Sequence, residues 1–368
     1  MRIHSVAMPG NSAHEFDSSS AFIRDMQGRI EATLAPLLPA SGEVAILDYP
    51  RYSNVGDSFI WLGTQAYLRS RGLKIRSEIH ALSCDKKTLQ RMVGDCPIVL
   101  QGGGNFGDIH PVHQAFRAEI LTSFPRQRIV MCPQTFHYQD PNHIERDRPL
   151  YEGHPDLHLI WRDQTSLERA RKAFPGARHF IAPDMAFWMD LQVTPAVVRG
   201  PGARPRILYH AHRDTKPNHL YDISHIATLG TVVQGDWRDM VGGLDIHKSF
   251  FLRATSMRKL LAGVDSCIGT TFLPSTIRRD TAIHLARSCN WLNKAISFYA
   301  RHDVILTNRL HSHMLATLLR KPHVIVDTFY GKLDWYYESW TFSDPAVRRV
   351  RHYEDVPTAL GEILSQIQ

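Results

Sequence analysis

Short apolar runs alternate along this chain with stretches whose apolar residues recur at helical spacing, and that alternation predicts an α/β protein. EVAILDYP (43–50) reads as a buried strand running into a turn over residues 51–57. Phe59, Ile60, Gly63, Ala66 and Tyr67 then share one face of a helix. Ile75, Ile79 and Ala81 alternate with polar residues as in a second strand. CPIVLQ (96–101) is a further strand, ending in the glycine cluster GGGNFGD; HQAFRAEILTSF (113–124) reads as a helix and RIVMCPQ (128–134) as a strand. LHLIWRDQTS (157–166) and RHFIAPDMAFW (178–188) are strands that run into loops.

TPAVVRGPGARPR (194–206) breaks the pattern with Pro, Gly and Arg, and is the expected domain boundary. RILYHAHRD (206–214) opens a second domain with a strand, and helices are expected near 250–263 and 281–300. The segment 303–332 reads strand, tight turn, helix, Pro-stopped loop, strand, which makes it a βαβ unit. The expected organisation is a flexible lead over 1–20, one Rossmann-like domain over 21–195, a second over 205–345, and a C-terminal helix over 346–368. Two such domains face to face would leave a cleft at the carboxyl ends of both sheets.

Composition narrows the class. At 368 residues, 43% hydrophobic and 21% charged, the chain is an ordinary folded protein long enough for two domains. It has no apolar run of about 18 residues and its first residues lack a signal-peptide core, so a cytoplasmic location is expected. The five cysteines are scattered and never spaced C-x-x-C, which favours buried thiols over disulfides or a metal site. Lys plus Arg number 43 against 36 Asp plus Glu, a net charge of +7, and this suggests an anionic partner. The basic residues form no dense tract and RNA-type aromatic motifs are missing, so nucleic acid is disfavoured.

Several strand ends carry candidate chemistry. Arg309 and His311 follow the strand VIL at the start of a helix for which Asn308 is the expected N-cap. Helix N–H groups and dipole favour an anion there, Arg309 can chelate a phosphate or carboxylate, and His311 can hold or release a proton near neutrality. The alternative is a cap with two polar surface residues. His210, His212, Arg213 and Asp214 follow the strand RILY, where Arg213 could take a second anionic group; a salt-bridged loop or, less readily, a metal are the other readings. Gly102, Gly103, Gly104, Asn105, Phe106, Gly107 and Asp108 lack both the G-x-G-x-x-G spacing and a P-loop lysine, so the carboxylate of Asp108 could touch a sugar hydroxyl or act as a base. Asn54 and Asp57 form a similar strand–turn–helix junction, where Asp57 could equally serve only the helix start. Trp335, Tyr336 and Tyr337 could floor a sugar site or fill a hinge.

DYPRYSNVGDSFIWLG, LQGGGNFGD, HQAFR, PQTFHY, WRDQTSLERA, APDMAF, TNRLHSHMLATLLRKPHVIVD and YGKLDWYYESW, in this order over about residues 47–340, resemble the polysaccharide pyruvyltransferase family. The resemblance implies a bacterial cytoplasmic enzyme with two Rossmann-like domains in a GT-B-like arrangement. It implies phosphoenolpyruvate as donor substrate, no cofactor or metal, and a saccharide acceptor in exopolysaccharide or cell-surface glycan synthesis. The family's Arg-Leu-His falls on Arg309, Leu310 and His311, and its second donor arginine on Arg213, with Lys332 also on the donor side. His311 would be the general acid. Asp57 and Asp108 are candidate bases, and Asn54, Asp57, Gly103, Gly104, Asn105, Asp108 and His113 the candidate acceptor contacts in the N-terminal domain. Many family members carry Asp where this chain has Asn308. A lipid-linked acceptor would bring peripheral contact with the inner membrane. Two other readings stand beside it. A GT-B-like glycosyltransferase would need a nucleotide-recognition element and turn over a sugar nucleotide. A non-catalytic saccharide-binding protein would tolerate loss of Arg309 and His311.

Overall fold

A computed structural model describes residues 13–81, 83–189, 191, 202–211, 221–237, 239, 272–327 and 331–367. Two compact units emerge, one of Gly28–Met189 with Leu244–Cys289, the other of Met1–Gln27, Asp190–Gly243 and Asn290–Gln368.

The first unit is built on a wholly parallel sheet with the order β2-β1-β3-β5-β6-β7, in which β4 also pairs with β5. The strands are β1 (Glu43–Leu47), β2 (Lys74–Ile79), β3 (Ile98–Leu100), β4 (Gly103–Gly107), β5 (Ile129–His137), β6 (Leu157–Trp161) and β7 (Arg178–Ile181). Buried on both faces, β1, β3, β5 and β6 read as unbroken apolar runs rather than alternations. The crossovers contain α2 (Val55–Ser70), α3 (Lys86–Val93), α4 (Pro111–Ser123), α5 (Pro141–Gly153) and α6 (Gln164–Ala173). Side-chain oxygens of Asn54, Asp85, Asp140 and Asp163 cap α2, α3, α5 and α6 by accepting early N–H groups. Helix α1 (Ala13–Leu34) begins inside the stretch read as a flexible lead.

The second unit holds a five-stranded parallel sheet, β12-β11-β10-β8-β9. Its strands are β8 (Arg206–His210), β9 (Thr231–Gly235), β10 (Val304–Thr307), β11 (His323–Val326) and β12 (Val347–Val350). Helix α7 (Phe272–Ala300) leads into β10, α8 (Leu310–Leu318) joins β10 to β11, and the short α9 (Lys332–Tyr336) precedes β12. Helix α10 (Val356–Ile367) buries Leu360, Ile363 and Leu364 against Leu306 and Val324 of the sheet. The expected βαβ unit is present as β10–α8–β11.

Two expectations change. The stretch 346–368 begins with the edge strand β12, whose Val347 and Val350 are buried on opposite faces, and becomes helical only at Val356. The division between units is not a single break near 194–206, because the described residues 272–289 group with the first unit. Arg51 donates two hydrogen bonds to Asp280 at 2.9 and 2.7 Å, and Thr281 pairs with the Tyr49 hydroxyl at 3.2 Å, which ties the first half of α7 to the loop after β1. The helix expected over 250–263 lies outside the described residues.

Candidate functional site

In the first unit the chain leaves β1 through Asp48, whose backbone is left-handed, with φ of 66°. Aspartate tolerates that region better than most residues because its short side chain finds local partners. The carboxylate is sealed, 2% exposed. One oxygen accepts a 2.7 Å hydrogen bond from Nδ1 of His113, and the other lies 3.9 Å from the Arg117 guanidinium. Pro111 opens α4, so His113 falls in the first turn and Arg117 one turn later on the same face. Arg117 is itself buried and donates to the carbonyl and side-chain oxygens of Asn105 in β4.

Asn54 does two things at the start of α2. Its oxygen caps Gly56 N–H at 3.0 Å, and its amide donates to Oδ2 of Asp57 at 2.8 Å. The Tyr52 hydroxyl donates to the same oxygen at 2.8 Å, and burial raises its pKa well above the usual phenol value, which keeps it a donor. Gly103 has φ of +125°, and a Cβ there would lie 3.2 Å from Ile60 Cδ1 and 3.6 Å from Oδ1 of Asp57. At that φ only glycine sits without strain. Gly104 follows in the same strand, half-buried. The Tyr52 ring stands edge-on to His113, 5.8 Å between centroids.

Asn54, Asp57, Gly103, Asn105 and His113 are thus linked by a chain of contacts. Asp108 has different partners. Its carboxylate accepts the N–H groups of Gln139 and Asp140 at 2.8–3.0 Å and pairs with His143 at 3.0 Å. Burial pushes its pKa up, but these bonds outweigh it and hold the carboxyl below its ordinary value. Both oxygens of this candidate base are committed, and the arrangement describes a clamp on the loop after β5. Asp48, Tyr52 and Arg117 were not singled out from the sequence. A polar residue closing an apolar run, as in EVAILD, is the signal that points to Asp48.

In the second unit three parallel strands deliver polar groups at their carboxyl ends. After β10, the Thr307 hydroxyl accepts the N–H of Arg309 at 3.0 Å and donates to the carbonyl of His210 at 2.8 Å. The N-cap of α8 is therefore Arg309 rather than the expected Asn308, because the threonine takes over the capping of the turn. The Arg309 guanidinium pairs with Asp236 just beyond β9 and lies 5.8 Å from the Trp237 ring. Trp237 meets His210 edge-on at 4.2 Å, and His210 continues through the Tyr299 hydroxyl to Ser312, the last step 2.7 Å. His311 sits half-buried in the first turn of α8, while Leu310 packs against Ile325, Leu333 and Val347.

Lys332 is the first residue of α9, whose Leu333 and Asp334 N–H groups bond Asp327 at 2.8 and 3.0 Å. Tyr336 is buried with its ring 6.4 Å from His313, and Tyr337 lies 5.6 Å beneath Arg349. Arg213, with His212 and Asp214, lies outside the described residues. Asp236 and Trp237 are further partners that the sequence did not announce, although they too close an apolar strand. Among the described residues no group of three His, Cys, Asp or Glu could hold a metal, and no helix is long and apolar enough to cross a membrane.

Comparison with known proteins gives these sites a context. A family model described as polysaccharide pyruvyl transferase matches residues 54–328. A Bacillus subtilis protein provisionally named pyruvyl transferase EpsO is 29% identical over 87% of this chain and 92% of its own length. Pyruvyl transferase 1 of Schizosaccharomyces pombe is 26% identical over 81% of this chain and 69% of its own. The crystal structure of an uncharacterised Klebsiella pneumoniae protein covers 89% of this chain with a TM-score of 0.54 at 14% identity, a likeness of fold.

Proposed function

The chain belongs to the polysaccharide pyruvyl transferase family and is a transferase, and from that premise we propose that it moves the pyruvyl (carboxyvinyl) part of phosphoenolpyruvate onto two hydroxyls of a saccharide, closing a pyruvate ketal. The observation that carries the reading is the start of α8. There Arg309, held by Asp236 and Trp237, and the half-buried His311 flank the N-terminus of a helix. The dipole and early N–H groups of such an end favour an anion.

In this reading Arg309, Arg213 and Lys332 hold the carboxylate and phosphate of the donor, with Leu310 packed behind them. His311, protonated, gives its proton to the methylene carbon C3. Carbon C2 becomes oxocarbenium-like and is attacked by the first saccharide hydroxyl. The C2–O bond to phosphate breaks, phosphate leaves with the electron pair, and a second hydroxyl closes the ketal. Cationic groups aimed at the departing phosphate are the main source of rate, and a positioned acid adds roughly 10²–10⁴-fold. Asn54, Asp57, Gly103, Gly104, Asn105 and His113 form the acceptor side. The +7 charge suits a donor rich in negative charge. It also suits an acceptor carried on lipid at an anionic inner membrane face.

The test is phosphate release from phosphoenolpyruvate across a panel of sugars and polysaccharide repeat units, wild type beside His311→Ala. We expect acceptor-dependent release that the substitution abolishes while the melting temperature stays put. Full activity in His311→Ala would sink the assignment of the acid. Calorimetry showing that a nucleotide sugar binds and phosphoenolpyruvate does not would replace pyruvyl transfer with glycosyl transfer.

A further inference from the structure

Arg309 and the first turn of α8 are held by more than their own helix. A ring of side chains closes on them, and every member belongs to the second unit. It starts at His210, the last residue of β8, which is sealed from solvent. Nδ1 of His210 pairs with the Tyr299 hydroxyl at 2.5 Å, and that hydroxyl pairs with Oγ of Ser312 at 2.7 Å. A phenol carries one proton, so Tyr299 donates to one neighbour and accepts from the other, and both of its contacts are made at once. Burial raises the Tyr299 pKa far above the usual phenol value, so that proton stays in place. In the other direction the His210 and Trp237 rings meet edge-on, 4.2 Å between centroids, and the Arg309 guanidinium lies 5.8 Å from the Trp237 ring. Residues 309–312 are consecutive, so the ring closes through the helix start itself.

The backbone fastens the same place. The His210 carbonyl accepts the Thr307 hydroxyl, which accepts the Arg309 N–H. The Ala211 N–H bonds the Gly235 carbonyl at 3.1 Å and joins the ends of β8 and β9. One residue on, Oδ1 of Asp236 accepts the Trp237 N–H at 2.6 Å, and the same oxygen receives Nη1 of Arg309. An apolar cluster would fill this space without the cost of burying polar groups. A sealed run of hydrogen bonds instead specifies one arrangement of the elements it joins. An arginine side chain carries much rotamer entropy, and binding is tighter when that freedom is lost before the ligand arrives.

We propose that His210 and Tyr299 are positioning residues of the donor side: through Trp237 they fix the Arg309 guanidinium, and through Ser312 the first turn of α8, in the orientation that receives phosphoenolpyruvate. The inference rests on the pyruvyl-transfer reading and gives the sealed groups behind Arg309 a part in it. His210 and Tyr299 act through Arg309 and touch no reacting atom.

The test titrates phosphoenolpyruvate into the full chain by calorimetry, at a temperature where melting curves show every variant folded. His210→Ala opens a cavity at the hub of the ring and endangers the fold, so Tyr299→Phe carries the test, since it keeps the aromatic ring and removes only the hydroxyl. It should weaken donor binding about three- to tenfold. Arg309→Lys keeps the charge and loses the planar fork that the ring holds. Adding Tyr299→Phe to Arg309→Lys should therefore cost little further affinity, and the double-mutant cycle should be non-additive. A merely structural role would lower the melting temperature and leave the cycle additive. Wild-type donor affinity in Tyr299→Phe, or losses that simply add in the double variant, overturn the positioning role while the transfer reading stands. A wild type that binds no phosphoenolpyruvate overturns the parent reading and the positioning role together.

Discussion

A methyl group placed on Gly107 would sit 1.6 Å from the carbonyl oxygen of His137, on a backbone with φ of +108°. Neither the strand partner nor the dihedral can yield, so Gly107→Ala should cost about 3–5 kcal/mol of stability. Gly28, exposed in α1, is the opposite case, since a methyl group there would meet nothing within 4 Å. Gly28→Ala should stabilise by roughly 0.5–1 kcal/mol through helix propensity alone. Urea denaturation of the two variants checks both signs, and a neutral Gly107→Ala would mean that β4 and β5 are not paired as described. The GGGNFGD cluster reads in sequence as a ligand loop, yet Gly103–Gly107 is a strand. What demands glycine at 107 is a carbonyl thirty residues away, and no local pattern records it. Asp48 and Arg117 were hidden for the same reason, since their partners lie in other crossovers. His113 and Asn105 enter only through the family resemblance, which implies them as acceptor contacts.

At the scale of elements, the strands β1, β3, β5, β6 and the β10–α8–β11 unit were legible because burial on both faces leaves continuous apolar runs. Strand β12 was not, because VRRV is half arginine, as an edge strand allows. The attachment of α7 was also illegible. Its 29 residues look like any amphipathic helix, and only the long-range pairs reveal that residues up to Cys289 belong with the first unit. His284 donates from Nε2 to the Pro50 carbonyl and stacks on Trp61, and the Arg51–Asp280 pair is 11% and 17% exposed. Breaking such a pair from one side strands a desolvated charge, at about 3–5 kcal/mol in the fully buried limit. Asp280→Ala should therefore destabilise by a large part of that amount, and Arg51→Met combined with Asp280→Met by much less. The double-mutant cycle in urea measures the difference. A purely additive cycle would mean that the pair does not anchor the helix.

Over the whole molecule, buried histidines set the response to acid. The His323 ring donates from Nδ1 to the Lys321 carbonyl at 2.8 Å, so its Nε2 must accept from Nδ1 of His313, and the remaining nitrogen of His313 accepts from the Thr341 hydroxyl. That chain works only with both rings neutral. Burial lowers the pKa of His323, His284 and His302 to about 4 and of His313 well below the usual value. Burial acts oppositely on carboxyls, raising Glu78 to about 7, Asp344 to about 6, and Asp163 and Asp184 above their ordinary value. The depressed histidines contribute stability that is complete above about pH 6.5 and is lost as pH falls toward 4. The raised carboxyls contribute in the other direction, gaining as pH falls through 7 and 6. Near pH 5 these four rings hold about four more protons in the unfolded chain than in the folded one, and the raised carboxyls offset part of that. The rings therefore make stability fall as pH drops from 6 to 5. Denaturant melts at several pH values read that slope, and His302→Gln should reduce it by about one proton, near 1.4 kcal/mol per pH unit. Equal stability at pH 7 and pH 5 would mean that these rings accept protons without leaving their buried positions.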